Sequence, residues 1–448
     1  MLLLILSAQA SFLDDSGQVF APAEVRAVVM TDYDNDGDLD VLMGRLSSGV
    51  QILSNELGML TPMGTFGTTT THDIELVDIN NDSTLDAILC DWQGGAEVYT
   101  LEFGGNYIHR QTVGGQPCWA AGTSDFNSDG FPDFVLSNRG SANVFLGVGG
   151  GLVSAGAPVT AGGDWFDVAV GDLDGDFDDD LWFGTDGRQE AWLNDGLAHF
   201  TRGQVFTGYR QRKAEIADLD GDGDQDIFAS TDNSGTAKVY LNNGLGTFTD
   251  TLQSLPVVSG WGVTLADWDL DGDPDAFTGE MSAPDRLWLN DGAGSFSDAG
   301  TIDDHGETLA SAAGDLNNDG LPDLFLGTWL GPETLWFNDG TAGQSVASFE
   351  LTRQGTCPGT TVLSVSGGTP GGVLWGASSP VTGAAAIPTG PCAGLNTGLG
   401  MPVTLRVNTT VSGAGTWSGS FQLPAAACGQ KVVFVDAATC ARTVVTTL

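Results

Sequence analysis

The chain has 448 residues, 15 Lys and Arg against 58 Asp and Glu, and a formal net charge of −43. That balance disfavours nucleic acid or an anionic lipid surface as a partner. The length leaves room for two or three domains, and beyond the first residues no stretch approaches the ~18–20 apolar residues of a membrane span.

Residues 1–10 form an apolar run ending in Ala8-Gln9-Ala10. A short apolar segment closed by Ala-x-Ala has the form of a secretory leader cleaved after Ala10, here a partial one, and predicts a secreted or cell-surface protein. From Asp32 onward one acidic loop recurs seven times, starting at Asp32, Asp78, Asp125, Asp172, Asp218, Asp267 and Asp315, in steps of 46 to 49 residues. Each copy reads D-x-[DN]-x-D-x-x-x-D. A near-constant period with one acidic turn per unit marks a repeat architecture.

The fifth copy shows what one unit holds. A short strand at 213–217 leads into the loop 218–226, followed by strands at 227–230, 238–241 and 247–252. The Asn/Gly-rich hairpin signal at 242–248 recurs as Asn-Asp-Gly at 194–196, 290–292 and 338–340. Four short strands in about 47 residues, without helical periodicity, predict one antiparallel sheet per unit and a seven-bladed β-propeller over residues 11–348. Residues 11–15 resemble the outer strands of the fifth and sixth units, so the N-terminal segment is expected to complete the last blade.

The loops have the chemistry of a hard-cation site, with oxygen ligands from positions one, three, five and nine and a backbone carbonyl at seven. Position one is the Asp that starts each loop. Position three is Asp34, Asn80, Asn127, Asp174, Asp220, Asp269 or Asn317, and position five is Asp36, Asp82, Asp129, Asp176, Asp222, Asp271 or Asp319. Position seven is Asp38, Thr84, Phe131, Asp178, Asp224, Asp273 or Leu321, and position nine is Asp40, Asp86, Asp133, Asp180, Asp226, Asp275 or Asp323. An all-oxygen flexible turn favours Ca²⁺ over Mg²⁺, and the absence of His and Cys argues against zinc and copper. Up to seven Ca²⁺ ions are expected, structural rather than signalling. An EF-hand would need Glu at position 12, where the chain has Met43, Leu89, Leu136, Phe183, Ala229, Thr278 and Leu326. Position six is Gly in five loops, as a positive φ would require, but Ser83 and Phe177 in the second and fourth.

These repeats resemble FG-GAP (VCBS) repeats, the units of the seven-bladed propeller at the head of integrin α subunits. The resemblance rests on D-x-D-x-D-G-x-x-D in the first, fifth and sixth loops, the Asn variants of the third and seventh, and turns such as 290–296. It implies calcium at the loop Asp and Asn residues and extracellular recognition or adhesion, although such repeats also accompany enzymes.

Beyond residue 350 only Asp436 is acidic, against Arg353, Arg406, Lys431 and Arg442, so a domain boundary falls near residue 349. Residues 349–448 carry β-type runs at 361–366, 403–407, 431–435 and 443–446 and are expected to form a small disulfide-containing β-sandwich. If its first and last strands run antiparallel, Cys357 falls near Cys440 and Cys392 is left for Cys428. Cys90 ends the second strand of one blade and Cys118 begins the first strand of the next, which makes a disulfide between blades a second expectation.

No catalytic signature is present: no H-E-x-x-H, G-x-S-x-G, S-x-x-K or phosphate loop, and His72, His109, His199 and His305 are scattered. One ring of residues stands six places before each first Asp: Arg26, His72, Trp119, Phe166, Arg212, Trp261 and Leu309. They are expected at the mouth of the central channel opposite the acidic loops, where aromatic and Arg side chains bind sugars or protein tips, or else serve blade packing. Two functions follow. The first is a non-catalytic, monomeric recognition protein with a protein or glycan ligand. The second is an extracellular polysaccharide lyase or hydrolase.

Overall fold

In the computed structural model the described residues are 12–340, apart from 19, 68–69, 139, 160–164, 233–234 and 303–306. Between 350 and 447 only the backbone of seven strands is described. The leader expectation at 1–10, His305 and the four C-terminal cysteines lie outside the described residues. The chain divides into two compact units, one spanning residues 18–337 with the first 13, the other 338–448 with 14–17.

The first unit is all β. Six of the seven repeats open with a seven-residue strand such as Val25–Thr31 or Gly260–Ala266, which hands the chain into an acidic loop. The next strand begins on the loop's ninth residue, as in Asp40–Arg45 and Asp275–Glu280. The first five residues of every second strand are buried, because neighbouring sheets cover both of their faces. Successive antiparallel pairing then gives four-stranded sheets. The N-terminal strand Leu13–Asp15 completes the last one in the order Leu13–Asp15, Thr334–Asn338, Asp323–Thr328, Thr308–Gly314, as expected.

The blade count differs from the repeat count. Five sheets have four strands and one has six, so six blades are seen and not seven. The cause is local to the fourth and fifth repeats. Asp180–Leu193 pairs through its first half with Trp165–Gly171 and through its second half with residues 201–210. Thr201–Ala217 pairs through its second half with Asp226–Thr231. Ladder pairing thus runs on where the other repeats break between strands.

The apolar core lies between sheets. Phe126, Val135 and Val144 of the third repeat pack with Trp165, Leu181 and Trp192 of the fourth. Val25, Val41 and Leu53 of the first repeat pack with Leu316, Phe325 and Leu335 of the seventh, which closes the ring. Two polar contacts repeat around it. In four repeats the Asn opening the hairpin turn donates its amide to the second loop residue of the preceding repeat: Asn194 to Phe126 O, Asn242 to Leu173 O, Asn290 to Leu219 O and, across the closure, Asn55 to Leu316 O, at 2.8–2.9 Å. An outer-strand Gln then exchanges two bonds with the following repeat's turn, as Gln204 does with Phe248 and Gln253 with Gly294 and Phe296. Cys90 and Cys118, both fully buried, form the expected disulfide between the second and third repeats.

The second unit holds two antiparallel sheets. One joins Glu350–Gly355, Gly359–Ser366 and Trp417–Leu423; the other joins Thr404–Thr410, Val373–Ser379, Lys431–Asp436 and Thr446–Thr447. Its first and last strands therefore sit in different sheets, which removes the pairing on which Cys357–Cys440 was expected. Among the described residues no helix is long and apolar enough to cross a membrane.

Candidate functional site

Each acidic loop is wound by its own carboxylates. The position-one Asp accepts two backbone N–H groups from positions four to six; Asp32 takes those of Asp36 and Gly37 at 3.0 and 3.1 Å. In the fourth loop Asp172 takes those of Gly175 and Phe177. The position-five Asp accepts the position-seven N–H in all seven loops at 2.9–3.1 Å. The chain meets these bonds with a positive φ at position six even where glycine is missing: 72° at Ser83 and 73° at Phe177. The fourth loop thus takes the same turn as the rest, although its φ strains a phenylalanine.

Position nine does something the sequence reading did not foresee. Asp40, Asp180, Asp226 and Asp275 are fully buried. Each accepts the position-two N–H with one oxygen and the N–H of the hairpin Asn with the other, at 2.7–2.9 Å. The carboxylate expected to face an ion thus also ties the loop to its own blade. Burial raises these groups, to about 7 at Asp180 and Asp275 and about 6 at Asp226. Asp86 and Asp133, also pushed up to about 6 by burial, each leave Oδ2 buried and without a hydrogen-bond partner.

Position three is different again. The side-chain Oδ1 of Asn80, Asp174, Asp269 and Asn317 is buried and accepts no hydrogen bond. In Asp34, Asp174, Asp220 and Asp269 burial, and then the neighbouring position-five Asp, raises the carboxyl above its ordinary range. Ligand oxygens of Asp32, Asp34 and Asp36 lie within 4.8 Å of one another, as do those of Asp218, Asp220 and Asp222, and of Asp267, Asp269 and Asp271. In the fourth loop the set is Asp172, Asp174 and Asp180. Leaving a buried oxygen unpaired costs about 1–3 kcal/mol, and gathering carboxylates adds repulsion. A hard cation relieves both at once, so the residues present fit such an ion. The position-seven side chains take other roles: Asp38 accepts from Leu57 N and from the Asn318 amide of the seventh loop.

The second feature is the channel mouth. All seven residues of the predicted ring line one cavity of about 260 Å³. His72 stacks on Trp92 at 5.1 Å, Trp119 meets His72, Trp92 and Phe166 edge-on, and the Arg212 guanidinium lies 4.4 Å from the Phe166 centroid and 4.3 Å from that of Trp261. Arg26 continues the belt over Trp261 and Trp329 at 5.4 and 5.0 Å. Burial, and behind it the Arg26 charge, lowers His72 to about 3, so its imidazole is neutral. Trp92 and Trp329 were missed by the sequence reading because they sit in the turns between second and third strands, off the repeat position that defines the ring.

Below the mouth Lys213 stands 3.6 Å from Asp167, with Asp73, Glu75 and Glu215 lining the same cavity. Three of these acids also bridge adjacent inner strands: Asp73 accepts from Ala121 N, Asp167 from Ala214 N and Glu215 from Leu265 N, at 2.7–2.9 Å. Burial, and then Asp73, pushes Glu75 up to about 8; burial pushes Glu215 up to about 7. Burial alone would lower Lys213, but the surrounding carboxylates outweigh it and raise it. Since 35% of the Lys213 side chain stays exposed, solvent screens this cluster.

Comparison with solved structures finds likenesses at low identity. An Agrocybe aegerita lectin, described as recognising non-reducing terminal N-acetylglucosamine, is 21% identical over 61% of this chain and 80% of that one, with a TM-score of 0.45. BBS1N in complex with ARL6DN, in a mercury-soaked crystal, is 11% identical over 75% of this chain and 99% of that one, with a TM-score of 0.55. Its lead-soaked counterpart is 12% identical over 74% and 97%, with a TM-score of 0.52. At such identities these two complexes share only the fold with this chain. No curated protein matches. The FG-GAP-like repeat family matches residues 32–89, 125–183, 218–278 and 267–326, which begin on loop Asp residues and together span half of the chain. With acidic turns at this spacing on a β-propeller, the chain belongs to the FG-GAP-like repeat family.

Proposed function

We propose that this protein is a secreted or cell-surface recognition or adhesion propeller in which Ca²⁺ in the acidic loops is structural and the channel mouth is the binding face. The observation that carries the metal reading is the buried, unpartnered position-three oxygen in four of the loops. Positions one, three, five and nine would hold the ion through side chains and position seven through its carbonyl. In five of the loops position two (Tyr33, Phe126, Leu173, Leu219 and Leu316) is bonded to the following repeat, so an ion there would brace two repeats at once. The disulfide between Cys90 and Cys118 supports an oxidising compartment.

The propeller is further read as seven sectors, with the six-stranded sheet counting as two. Gly187 and Gly208 lie inside its two long strands with φ of 101° and 108°, values that bend a chain where a strand would be extended. The two C-terminal sheets are read as the layers of one sandwich. Non-catalytic recognition is favoured over a lyase or hydrolase because Arg26 and Arg212, which a lyase would need for substrate carboxylates, already hold Glu24 and Asp232. The protein is taken as a monomer.

An ion that binds only the folded state stabilises it by mass action. Excess chelator is therefore expected to lower the melting temperature by ten degrees or more, roughly the effect of a few kcal/mol, with full recovery on adding Ca²⁺ and little on adding Mg²⁺. Identical melting curves with and without chelator would remove the structural-calcium reading.

A further inference from the structure

We propose that the channel mouth takes the end of a neutral saccharide chain, one sugar ring deep. This rests on the recognition reading above and names its ligand class. The mouth is walled by π faces, with Trp119, Phe166 and Trp261 half-buried around the opening and the Arg212 guanidinium covering one face of Phe166 and one of Trp261. Such faces pack against the C–H face of a pyranose, and the polar groups between them orient its hydroxyls.

The charges at the mouth exclude ionic ligands. Arg26 donates Nε and Nη2 to Glu24, and Arg212 donates to Asp232, which it shares with Arg210, so each guanidinium arrives already paired. A carboxylated sugar would have to displace these partners and would also face Asp73, Glu75, Asp167 and Glu215, with Lys213 the one ammonium among the described residues that line the cavity. A cationic ligand would meet two guanidiniums already seated on the aromatic faces. A neutral hydroxylated ring pays neither penalty, and the paired charges offer it both donors and acceptors. Size agrees: about 260 Å³ lies just below the roughly 300–1,000 Å³ usual for whole small-molecule sites, which suits a chain end.

The test is surface plasmon resonance of the full chain in Ca²⁺ over immobilised cello-, chito- and manno-oligosaccharides, with oligogalacturonate as the charged counterpart. Capture by a neutral chain is expected. Trp261→Ala should weaken it roughly tenfold, Trp261→Phe should largely keep it, and Leu245→Ala at the acidic-loop end should leave it unchanged. Melting curves establish that each variant folds. Capture of oligogalacturonate alone, lost in Arg26→Ala and Arg212→Ala, would overturn the neutral class while leaving recognition at the mouth standing. Capture indifferent to Trp261→Ala and Arg212→Ala would remove the mouth as the binding face. No capture by any member would overturn the saccharide class.

Discussion

Single side chains in the acidic loops divide their work by position. Positions one, five and nine spend oxygens on backbone N–H groups, so they shape the turn whether or not an ion is present. Position three has no such duty in four loops and is the sharpest probe of metal binding. Asp269→Ala should lower the number of Ca²⁺ ions bound per chain by one in a calorimetric titration. Asp269→Asn should keep it, because Asn80 and Asn317 occupy the same position in sister loops. At the other end of the molecule, His72 is held neutral down to about pH 3, whereas in the unfolded chain it takes a proton below about 6.5. The unfolded state therefore binds the extra proton between those limits, and stability is lost as pH falls through that window. Between pH 7 and pH 5 that loss is about 2 kcal/mol. His72→Phe should abolish it, so urea-unfolding free energies of variant and parent should diverge by that amount; a constant offset would show that His72 does not titrate this way. The acidic turns and the mouth ring were both legible in the sequence because their chemistry sits at fixed places in the repeat. The double duty of position nine was not, since it depends on which N–H groups the folded loop turns toward it.

Between elements, the hairpin Asn is more than a turn former. Asn242 joins Leu173 O of the previous repeat and Gln225 O of its own, while its backbone N–H goes to Asp226. Asn242→Ala removes both amide bonds, leaving Leu173 O with the Gly246 N–H alone, which should cost about 1–3 kcal/mol in urea unfolding. Asn243→Ala, one residue along with its side chain on its own turn, should cost well under half of that. The sequence marked the Asn-Asp-Gly hairpins but gave no sign of their reach, because the partner lies some 70 residues upstream in the preceding repeat. The same limit hid Asp73, Asp167 and Glu215, which tie inner strands across the channel wall. In the second unit, Val373–Ser379 and Trp417–Leu423 escaped notice because glycine and serine interrupt their apolar alternation.

For the molecule as a whole, the ring holds through contacts that run from each repeat to the next and across the closure from the seventh to the first. Gln18 bonds Gly58 O and Leu60 N there at 2.6 and 2.9 Å, and Asn55 bonds Leu316 O. The acidic loops sit at one end of these contacts, so the account joins folding stability to metal occupancy. The net charge of −43 has the same reading: seven divalent ions would neutralise a large part of it in the loops where it is densest. The most direct measurement is an anomalous difference map from a crystal grown in Ca²⁺. The account predicts a peak in each loop, about 2.3–2.6 Å from the position-three oxygen. Loops without density at saturating Ca²⁺ would contradict it.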